Sequence, residues 1–233
     1  MYTARGCALN NAIVIPALNE SQTIYDVVSR VAYAGEVIVV DDGSVDATKE
    51  NAEKAGATVI RHPNNQGYDS AIETGINLAR RLNMETVITF DADGQHDPMV
   101  LDEILRLLYR DRYDLVIGIR PRTARFSEFL FNTYVCHRYR IRDILCGLKG
   151  YRLAALPVLT NGFKYQSIGT RLALDGLRRG VRSKALSITI CARQDQPRFG
   201  SRVRANLKIF KALTCTIIHD LASLGSKRLI RIE

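Results

Sequence analysis

The chain has 233 residues, 46% of them hydrophobic, which is enough to bury one substantial core and excludes disordered, collagen-like and disulfide-scaffold proteins. Its net charge of +9 is unevenly spread, since residues 1–119 hold 10 basic and 18 acidic residues whereas residues 120–233 hold 23 and 6. The acidic half suits metal ions, and the basic half suits anionic lipid, phosphate or nucleic acid.

Short β-branched runs alternate with helical patterns through the first 120 residues. The runs AIVIP, EVIVVDD, TVIRH, TVITFD and DLVIGIR are typical of strands buried on both faces. Apolar residues repeat at helical spacing between them: Ile24, Val27, Val28 and Val31, then Leu101, Ile104, Leu105 and Leu108. This order predicts an α/β fold with a mostly parallel central sheet and helices on both faces.

After Arg120 the alternation stops. We expect a helix over 126–140, a loop over 143–152, a helix near 165–179 and a strand over 183–192. No linker separates the halves, so we expect one domain over residues 1–233, with residues 121–233 elaborating the core of residues 1–120. The five cysteines are scattered without a Cys-x-x-Cys pair, which indicates reduced thiols in the cytoplasm and no zinc site. No run reaches the roughly 20 apolar residues of a membrane-spanning helix, so we expect a soluble protein.

Four polar loops follow the first four predicted strands: PALNE (16–20), DDGSVDAT (41–48), PNNQGYDSAIETG (63–75) and DADGQHD (91–97). In a parallel sheet such loops meet at one edge, where ligands bind. Each loop alone has an ordinary explanation, because acidic residues cap helices and asparagines make turns. Together they predict a binding site.

The aspartates in these loops suggest what the site binds. Asp41 and Asp42 would accept hydrogen bonds from a base or ribose, and Asp91 and Asp93 would hold a hard divalent cation through oxygen. Gly67 permits the positive φ that a close approach to a nucleotide requires. An EF-hand calcium loop fits poorly, because its sixth and twelfth positions would be His96 and Asp102 instead of Gly and Glu. The alternative that the aspartates only end a strand and begin a helix leaves the other three loops unexplained.

The motifs IPALNE, VVDDGSVDAT, NNQGYDSAIETG and DADGQHDP, in this order, resemble the nucleotide-sugar half of the inverting family-2 glycosyltransferases. The resemblance implies the GT-A fold, a nucleoside-diphosphate sugar donor and Mg²⁺ or Mn²⁺. It assigns nucleotide-sugar contacts to Pro16, Leu18, Asn19, Glu20, Asp41, Asp42, Gly67 and Asp91. It assigns the metal and diphosphate to Asp91, Asp93 and Gln95. Leu18 stands where a Tyr is often found.

The second half is similar to the polyprenyl-phosphate sugar synthases of that family, through GIR (118–120), DILCGLKGYR (143–152) and PRFGSR (197–202). This looser resemblance implies that Arg120 contacts an acceptor phosphate. We expect Arg125 and Ser127 as further contacts to that phosphate, and Arg198 as a contact to phosphate or the donor. The catalytic candidates are Asp93, Arg120 and Asp143.

The identity of the acceptor depends on whether a base is present. A sugar hydroxyl needs a base to remove its proton, and Asp143 is the only one of the six acids from Arg120 onward that is placed near the expected site. An acceptor that is already an anion needs only cations to hold it. We therefore expect transfer to an anionic lipid, polyprenyl or dolichyl phosphate. The alternatives are transfer to a hydroxyl of a glycan or glycolipid with Asp143 as base, and a basic nucleic-acid-binding module.

A lipid acceptor predicts peripheral contact with a membrane, at its cytoplasmic face, and no nucleic-acid partner. Leu207, Phe210, Leu213 and Ile217 share one helical face, and Arg204, Lys208 and Lys211 flank it, as in an interfacial helix. Such a face is more often ordinary core. His62, His137 and His219 are isolated in the sequence and receive no role.

Overall fold

The structure is a computed structural model that describes residues 10–121, 125–156, 170–191 and 202–229; in the last segment, side chains are described for residues 206–222. Its first half contains the elements β1 Asn11–Ala17, α1 Ile24–Val31, β2 Glu36–Asp41, α2 Thr48–Lys54, β3 Thr58–Arg61, α3 Tyr68–Arg81, β4 Thr86–Thr89, α4 Val100–Leu105 and β5 Leu115–Ile119. Its second half contains α5 Phe126–Tyr139, β6 Lys149–Arg152, α6 Arg171–Arg178, β7 Ser183–Ser187 and α7 Arg202–Leu229.

The strands form one seven-stranded sheet in the order β3-β2-β1-β4-β6-β5-β7. Neighbours are parallel except where β6 pairs with β4 and β5. The predicted α/β fold with a mostly parallel sheet is confirmed, and the five strands predicted in the first half are all present. Strands from both halves of the chain lie in this sheet.

Side chains alternate between the two faces of each strand, so each face receives its own helices. In β1, Ala12 and Val14 belong to the core cluster that also contains residues of α3, α5, α6 and α7, whereas Ile13 and Ile15 belong to the cluster that contains residues of α1, α2 and α4. The apolar residues of α1 that repeat at helical spacing are all buried: Ile24, Val27, Val28 and Val31. Helices therefore cover both faces of the sheet, as the sequence predicts.

Three predictions need correction. The loop expected over 143–152 contains β6, an antiparallel strand in the middle of the sheet; its sequence KGYR carries no β-branched residue and gave no strand signal. The edge strand β3 is only partly buried, because one side has no neighbour. The strand expected over 183–192 ends at Ser187. The helix near 165–179 is observed as α6, and residues 157–169 lie outside the described residues.

The exposed face of α7 also differs from the prediction. Leu213 packs against the core and Ile217 is half-buried, whereas Leu207, Phe210, Ile218 and Leu221 are exposed. The reason is that Ile209, Ala212, Thr216 and Asp220 form the buried side and turn the opposite side outward. No helix in the described part of the chain is both long enough and apolar enough to cross a membrane.

Candidate active site

The loops after β1 and β2 are joined at the carboxyl edge of the sheet. The backbone N–H of Asn19 donates to Ser44 Oγ at 2.8 Å, and Asn19 Oδ1 accepts from the N–H of Val45 at 2.9 Å. The N–H of Glu20 donates to Thr48 Oγ1 at 2.7 Å. Asn19 has a φ of 54°, which asparagine tolerates better than most residues. Asn19 and Glu20 thus shape the loops, while Pro16 is buried within β1 and Leu18 is half-buried beside them.

Asp41 lies fully buried at the end of β2. Its Oδ1 accepts from the N–H of Ser44 at 2.8 Å, and its Oδ2 lies 3.4 Å from Arg61 Nε. That contact is too poorly aligned for a hydrogen bond, and Oδ2 has no hydrogen-bond partner among the described residues. A buried acceptor without a donor is costly. Asp41 Oδ2 is therefore a buried acceptor that has only the charge of Arg61 beside it among the described residues.

Both carboxylate oxygens of Asp42 accept hydrogen bonds from other residues of the chain. Its Oδ1 accepts from the N–H of Gln66 at 2.9 Å and from His62 Nδ1 at 2.7 Å, and its Oδ2 accepts from the N–H of Gly67 at 2.8 Å. Gly67 has a φ of 96°, the positive value expected from the sequence. In this arrangement Asp42 holds the loop after β3.

The DADGQ stretch follows the end of β4. Asp91, Asp93 and Gln95 are half-buried, whereas Ala92 is buried. That the three polar side chains share one side remains a prediction from their spacing. Asp93 Oδ1 accepts from the N–H of Gln95 at 3.2 Å, which closes the turn.

Asp91 is fixed by residues from outside the stretch. Tyr68 Oη donates to its Oδ1 at 2.9 Å, and His96 Nε2 donates to its Oδ2 at 3.2 Å. Burial alone would raise the pKa of Asp91, but hydrogen bonding and charge from His96, with the bond from Tyr68, outweigh it and lower the pKa. Asp91 is therefore a carboxylate at neutral pH, the form that binds a cation.

The residues present fit a divalent ion of the Mg²⁺ or Mn²⁺ type. Their ligand atoms are carboxylate and amide oxygens, which these hard cations prefer. The described residues contain no group of three or more His, Cys, Asp or Glu side chains placed to hold a metal. A site of Asp91, Asp93 and Gln95 would offer two carboxylates and one amide oxygen.

Arg120 and Asp143 form a buried ion pair at the end of β5. Arg120 Nε donates to Asp143 Oδ2 at 2.7 Å and Nη2 donates to Oδ1 at 2.9 Å, while Asn132 Nδ2 donates to Oδ1 at 3.1 Å. Burial would raise the pKa of Asp143, but the bonds and charge of Arg120 outweigh it and lower the pKa. A carboxylate held in this way is a weak base.

Of the other residues predicted to contact phosphate, Arg125 and Ser127 lie in different environments. Arg125 Nη1 donates to Glu128 Oε1 at 2.8 Å, and Glu128 Oε2 lies 3.4 Å from Arg120 Nη2, so one carboxylate bridges both arginines. Ser127 is fully buried and its hydroxyl bonds to Asn206 Oδ1 at 2.5 Å, which keeps it from an acceptor phosphate in this arrangement. Arg198 lies outside the described residues.

A buried lysine and a glycine lie close to Asp91. Lys149 is 2% exposed, donates to the carbonyl of Cys146, and has its pKa lowered by burial. A Cβ added at Gly147 would lie 2.2 Å from Asp91 Oδ2. The DILCGLK segment therefore packs against the carboxylate that follows β4.

Comparison with known proteins decides the family. A model of glycosyl transferase family 2 matches residues 12–152, more than half of the chain. The chain belongs to glycosyl transferase family 2. The resemblance inferred from the four loops is confirmed, and those loops lie inside the matched region.

Relatives in glycosyl transferase family 2 include enzymes that act on lipid phosphates. The chain is 30% identical to a UDP-N-acetylglucosamine–dolichyl-phosphate N-acetylglucosaminyltransferase of Methanococcus voltae, over 64% of this chain and 71% of that protein. It is 26% identical to a dolichol-phosphate mannosyltransferase of Pyrococcus furiosus, over 85% of this chain and 58% of that protein. An uncharacterised protein of Methanocaldococcus jannaschii is 30% identical over 84% of this chain and 88% of its own length.

Solved structures confirm the GT-A fold. The chain matches glucosyl-3-phosphoglycerate synthase from Mycobacterium tuberculosis, in a complex with Mn²⁺ and UDP-glucose, with a TM-score of 0.71 and 22% identity over 88% of this chain and 78% of that one. The same enzyme in complex with Mg²⁺ and UDP gives a TM-score of 0.68 at 22% identity, over 87% and 78%.

Four residues at this family-2 site were not predicted from the sequence: His62, Tyr68, Gly147 and Lys149. Their importance lies in long-range contacts, such as Tyr68 with Asp91 across 23 positions. The signal for Gly147 was present, since it lies in the DILCGLKGYR motif, but only the packing shows that a side chain there would meet the Asp91 carboxylate.

Proposed function

We propose that this protein transfers a sugar from a nucleoside-diphosphate sugar to the phosphate of a polyprenyl-type lipid, with inversion at the anomeric carbon. One observation carries the choice of acceptor: every described carboxylate of the second half is ion-paired with arginine. Glu128 pairs with Arg120 and Arg125, Asp143 with Arg120, Asp175 with Arg178, and Asp220 with Arg178.

A hydroxyl acceptor requires a base, and within the described residues this half offers none in a suitable state. Asp143 has both oxygens engaged by Arg120, and its pKa is lowered. A general base works best with a pKa near the operating pH, so a depressed pKa acts against this role. A phosphate acceptor is ionised at neutral pH and needs no proton removed. The relatives that act on dolichyl phosphate support the same choice.

Asp143 then has a different task, which is to position Arg120. The two hydrogen bonds fix the plane of the guanidinium. Arg120 is 20% exposed at its side chain, so part of the group remains accessible to an acceptor phosphate. Arg125 is linked to it through Glu128 and lies at the start of α5. We propose these two arginines, with Arg198 from outside the described residues, as the phosphate contacts.

The donor is proposed to lie over the loops of the first half. The buried Oδ2 of Asp41 would accept a hydrogen bond from the base, and Asp91, Asp93 and Gln95 would hold Mg²⁺ or Mn²⁺ against the diphosphate. The bound ion would act as a Lewis acid and stabilise the charge that develops on the leaving diphosphate.

The chain's own residues supply orientation. The joined loops after β1 and β2 fix the nucleoside, and Arg120 holds an acceptor phosphate oxygen on the opposite side of the sugar from the leaving group. Alignment of two bound reactants lowers the barrier because their translational and rotational freedom is already lost. Attack from that side inverts the configuration.

The other hypotheses are not favoured. Transfer to a glycan hydroxyl needs Asp143 as a base, against its engagement by Arg120. A nucleic-acid-binding module would leave the hydrogen-bonded loops at the sheet edge without a purpose.

A donor screen tests the proposal. The protein is incubated with labelled UDP- and GDP-sugars, Mn²⁺ and either polyprenyl phosphate or free glycans, and label is counted in the organic phase. We expect label with polyprenyl phosphate, none with Asp93→Ala, and full activity in the control Asp26→Ala, which changes an exposed aspartate on α1. Transfer to glycans but not to the lipid would overturn the acceptor assignment.

We further propose that the protein meets its acceptor as a peripheral protein at the cytoplasmic face of a membrane. The exposed row on α7 consists of Leu207, Phe210, Ile218 and Leu221, with exposed fractions of 62%, 38%, 61% and 62%. Lys208 and Lys211 are exposed on the same helix. Apolar side chains beside lysines suit the interface of an anionic bilayer.

The neighbouring helix α5 also has exposed aromatic side chains. Phe126 and Phe129 are 68% and 55% exposed, and α5 contacts α7 through Ser127 and Asn206. Flotation with vesicles of phosphatidylcholine alone or with phosphatidylglycerol tests the contact. We expect binding to the anionic vesicles, lost in Leu207→Glu/Ile218→Glu and kept in Met99→Glu, a matched change of a 67% exposed residue beside α4 on the other face of the sheet. Equal vesicle binding by the two variants would show that Leu207 and Ile218 do not contact the membrane.

A further inference from the structure

His62, which the sequence left without a role, is the centre of a buried polar chain. It follows β3 and is 6% exposed. Its Nδ1 lies 2.7 Å from Asp42 Oδ1, and its Nε2 lies 2.9 Å from Thr74 Oγ1 on α3. The ring therefore joins a loop of the site to the middle of a helix.

The direction of these hydrogen bonds follows from the other partners of Asp42. This carboxylate already accepts the backbone N–H groups of Gln66 and Gly67, so it acts as an acceptor toward His62 as well. Nδ1 then carries a proton, and in the neutral ring Nε2 accepts the hydroxyl proton of Thr74. His62 thus fixes the orientation of the Asp42 carboxylate.

The chain continues from Asp42 to the start of α3. Asp42 Oδ2 holds the N–H of Gly67, which is the residue before the helix begins at Tyr68. Gly67 has a φ of 96°, a conformation that other residues adopt only with strain, so the position of Tyr68 depends on this anchor. Tyr68 Oη then donates to Asp91 Oδ1 at 2.9 Å.

We propose that His62 and Tyr68 are positioning residues that couple the loop after β2 to Asp91 and set its carboxylate for the metal and diphosphate. The inference rests on the proposed donor site. The path is continuous: Thr74 holds His62, His62 holds Asp42, Asp42 holds Gly67, and Tyr68 carries the constraint to Asp91. Outer partners of metal-binding carboxylates contribute affinity by fixing their orientation.

A double-mutant cycle with a binding readout tests this coupling. His62→Phe keeps an aromatic ring but removes both hydrogen bonds, and Tyr68→Phe removes only the hydroxyl. Calorimetry measures binding of UDP and GDP in the presence of Mn²⁺, beside initial rates and the midpoint of thermal unfolding. We expect each variant to weaken Mn²⁺-nucleotide binding about tenfold and the double variant to lose clearly less than the product of the two losses.

Controls separate positioning from a merely structural role. His62→Asn retains a donor toward Asp42 and should recover part of the affinity, and His137→Phe, at an exposed position on α5, should change nothing. The acceptor KM should stay constant in every variant. Losses confined to the unfolding midpoint, or losses that multiply independently, would overturn the coupling.

The variant Asp93→Ala tests the proposed donor site separately from the coupling through His62 and Tyr68. If Asp93→Ala abolishes Mn²⁺-nucleotide binding while His62→Phe and Tyr68→Phe leave it unchanged, the coupling is wrong and the donor site stands. If Asp93→Ala also leaves binding unchanged, the donor site itself is wrong.

Discussion

Arg120 and Asp143 are joined by two side-chain hydrogen bonds, at 2.7 and 2.9 Å, although 23 positions separate them in the sequence. Arg120 directly follows the strand β5 and Asp143 precedes β6, which is β5's antiparallel neighbour. The pair places a fixed guanidinium at the sheet edge and removes the best candidate base from the site.

Asp143→Asn should impair transfer because Arg120 is no longer held in place. It should not remove a basic ionisation from the pH dependence of the rate. Leaving one partner of a buried pair uncompensated costs roughly 3 kcal/mol or more, so unfolding in urea should show a clear loss of stability. The acceptor KM should rise while the pH profile of kcat keeps its shape. A basic ionisation that disappears in the variant would show that Asp143 is the base after all.

The stability lost in Asp143→Asn should depend on pH in one direction. The folded pKa of Asp143 is lowered, so its contribution is fully present above the unfolded pKa of about 3.9 and is lost as pH falls through the folded value. The difference in unfolding free energy between the two proteins should be constant above about pH 5 and shrink below pH 4. Urea titrations across this range measure it, and a difference that grows with acidity would contradict the ion pair.

Arg120→Lys should not substitute for arginine. Lysine keeps the charge but cannot make two parallel hydrogen bonds to Asp143, so the acceptor phosphate meets a mobile ammonium. We expect kcat/KM for polyprenyl phosphate to fall about tenfold or more while the donor KM is unchanged. Arg182→Lys, at a residue beside Tyr113 on the sheet's far edge, serves as the matched control. A rise in the donor KM alone would place Arg120 elsewhere in the reaction.

Gly147→Ala should displace Asp91. The added Cβ would lie 2.2 and 2.3 Å from the two carboxylate oxygens, closer than any real contact, so the carboxylate must move. Misplacement by about 1 Å can cost on the order of 100-fold in rate. Steady-state rates and circular dichroism should show lost activity in a folded protein. The control is Gly176→Ala in α6. Its added Cβ would lie 3.3 Å from the side chain of Val181, and the variant should remain active.

Asp41→Asn tests the nucleoside contact. The amide can still accept from Ser44, but a nitrogen replaces the buried Oδ2 that has no hydrogen-bond partner among the described residues. A donor on the base then faces another donor, which costs about 2 kcal/mol, or roughly 30-fold in affinity. Calorimetry with UDP and GDP should show this loss, whereas unaltered affinity would remove Asp41 from the nucleoside site.

The sequence predicted the first half of the fold and its loops because the relevant signals are local. Five β-branched runs gave five strands. What it missed depends on tertiary pairing: β6 is a strand because β4 and β5 flank it. The contacts of Asp42 with His62 and Gly67 were also missed, since they depend on how the loop after β3 folds back onto β2. The exposed side of α7 depended on which residues the core would bury.

A crystal structure with Mn²⁺ and the nucleotide that binds best in the donor screen tests the central claim most directly. We expect the ion to lie between the diphosphate and the side chains of Asp91 and Asp93, with the base within hydrogen-bonding distance of Asp41. An ion bound elsewhere on the protein, or a nucleotide that does not contact the loops at the carboxyl edge of the sheet, would contradict the account.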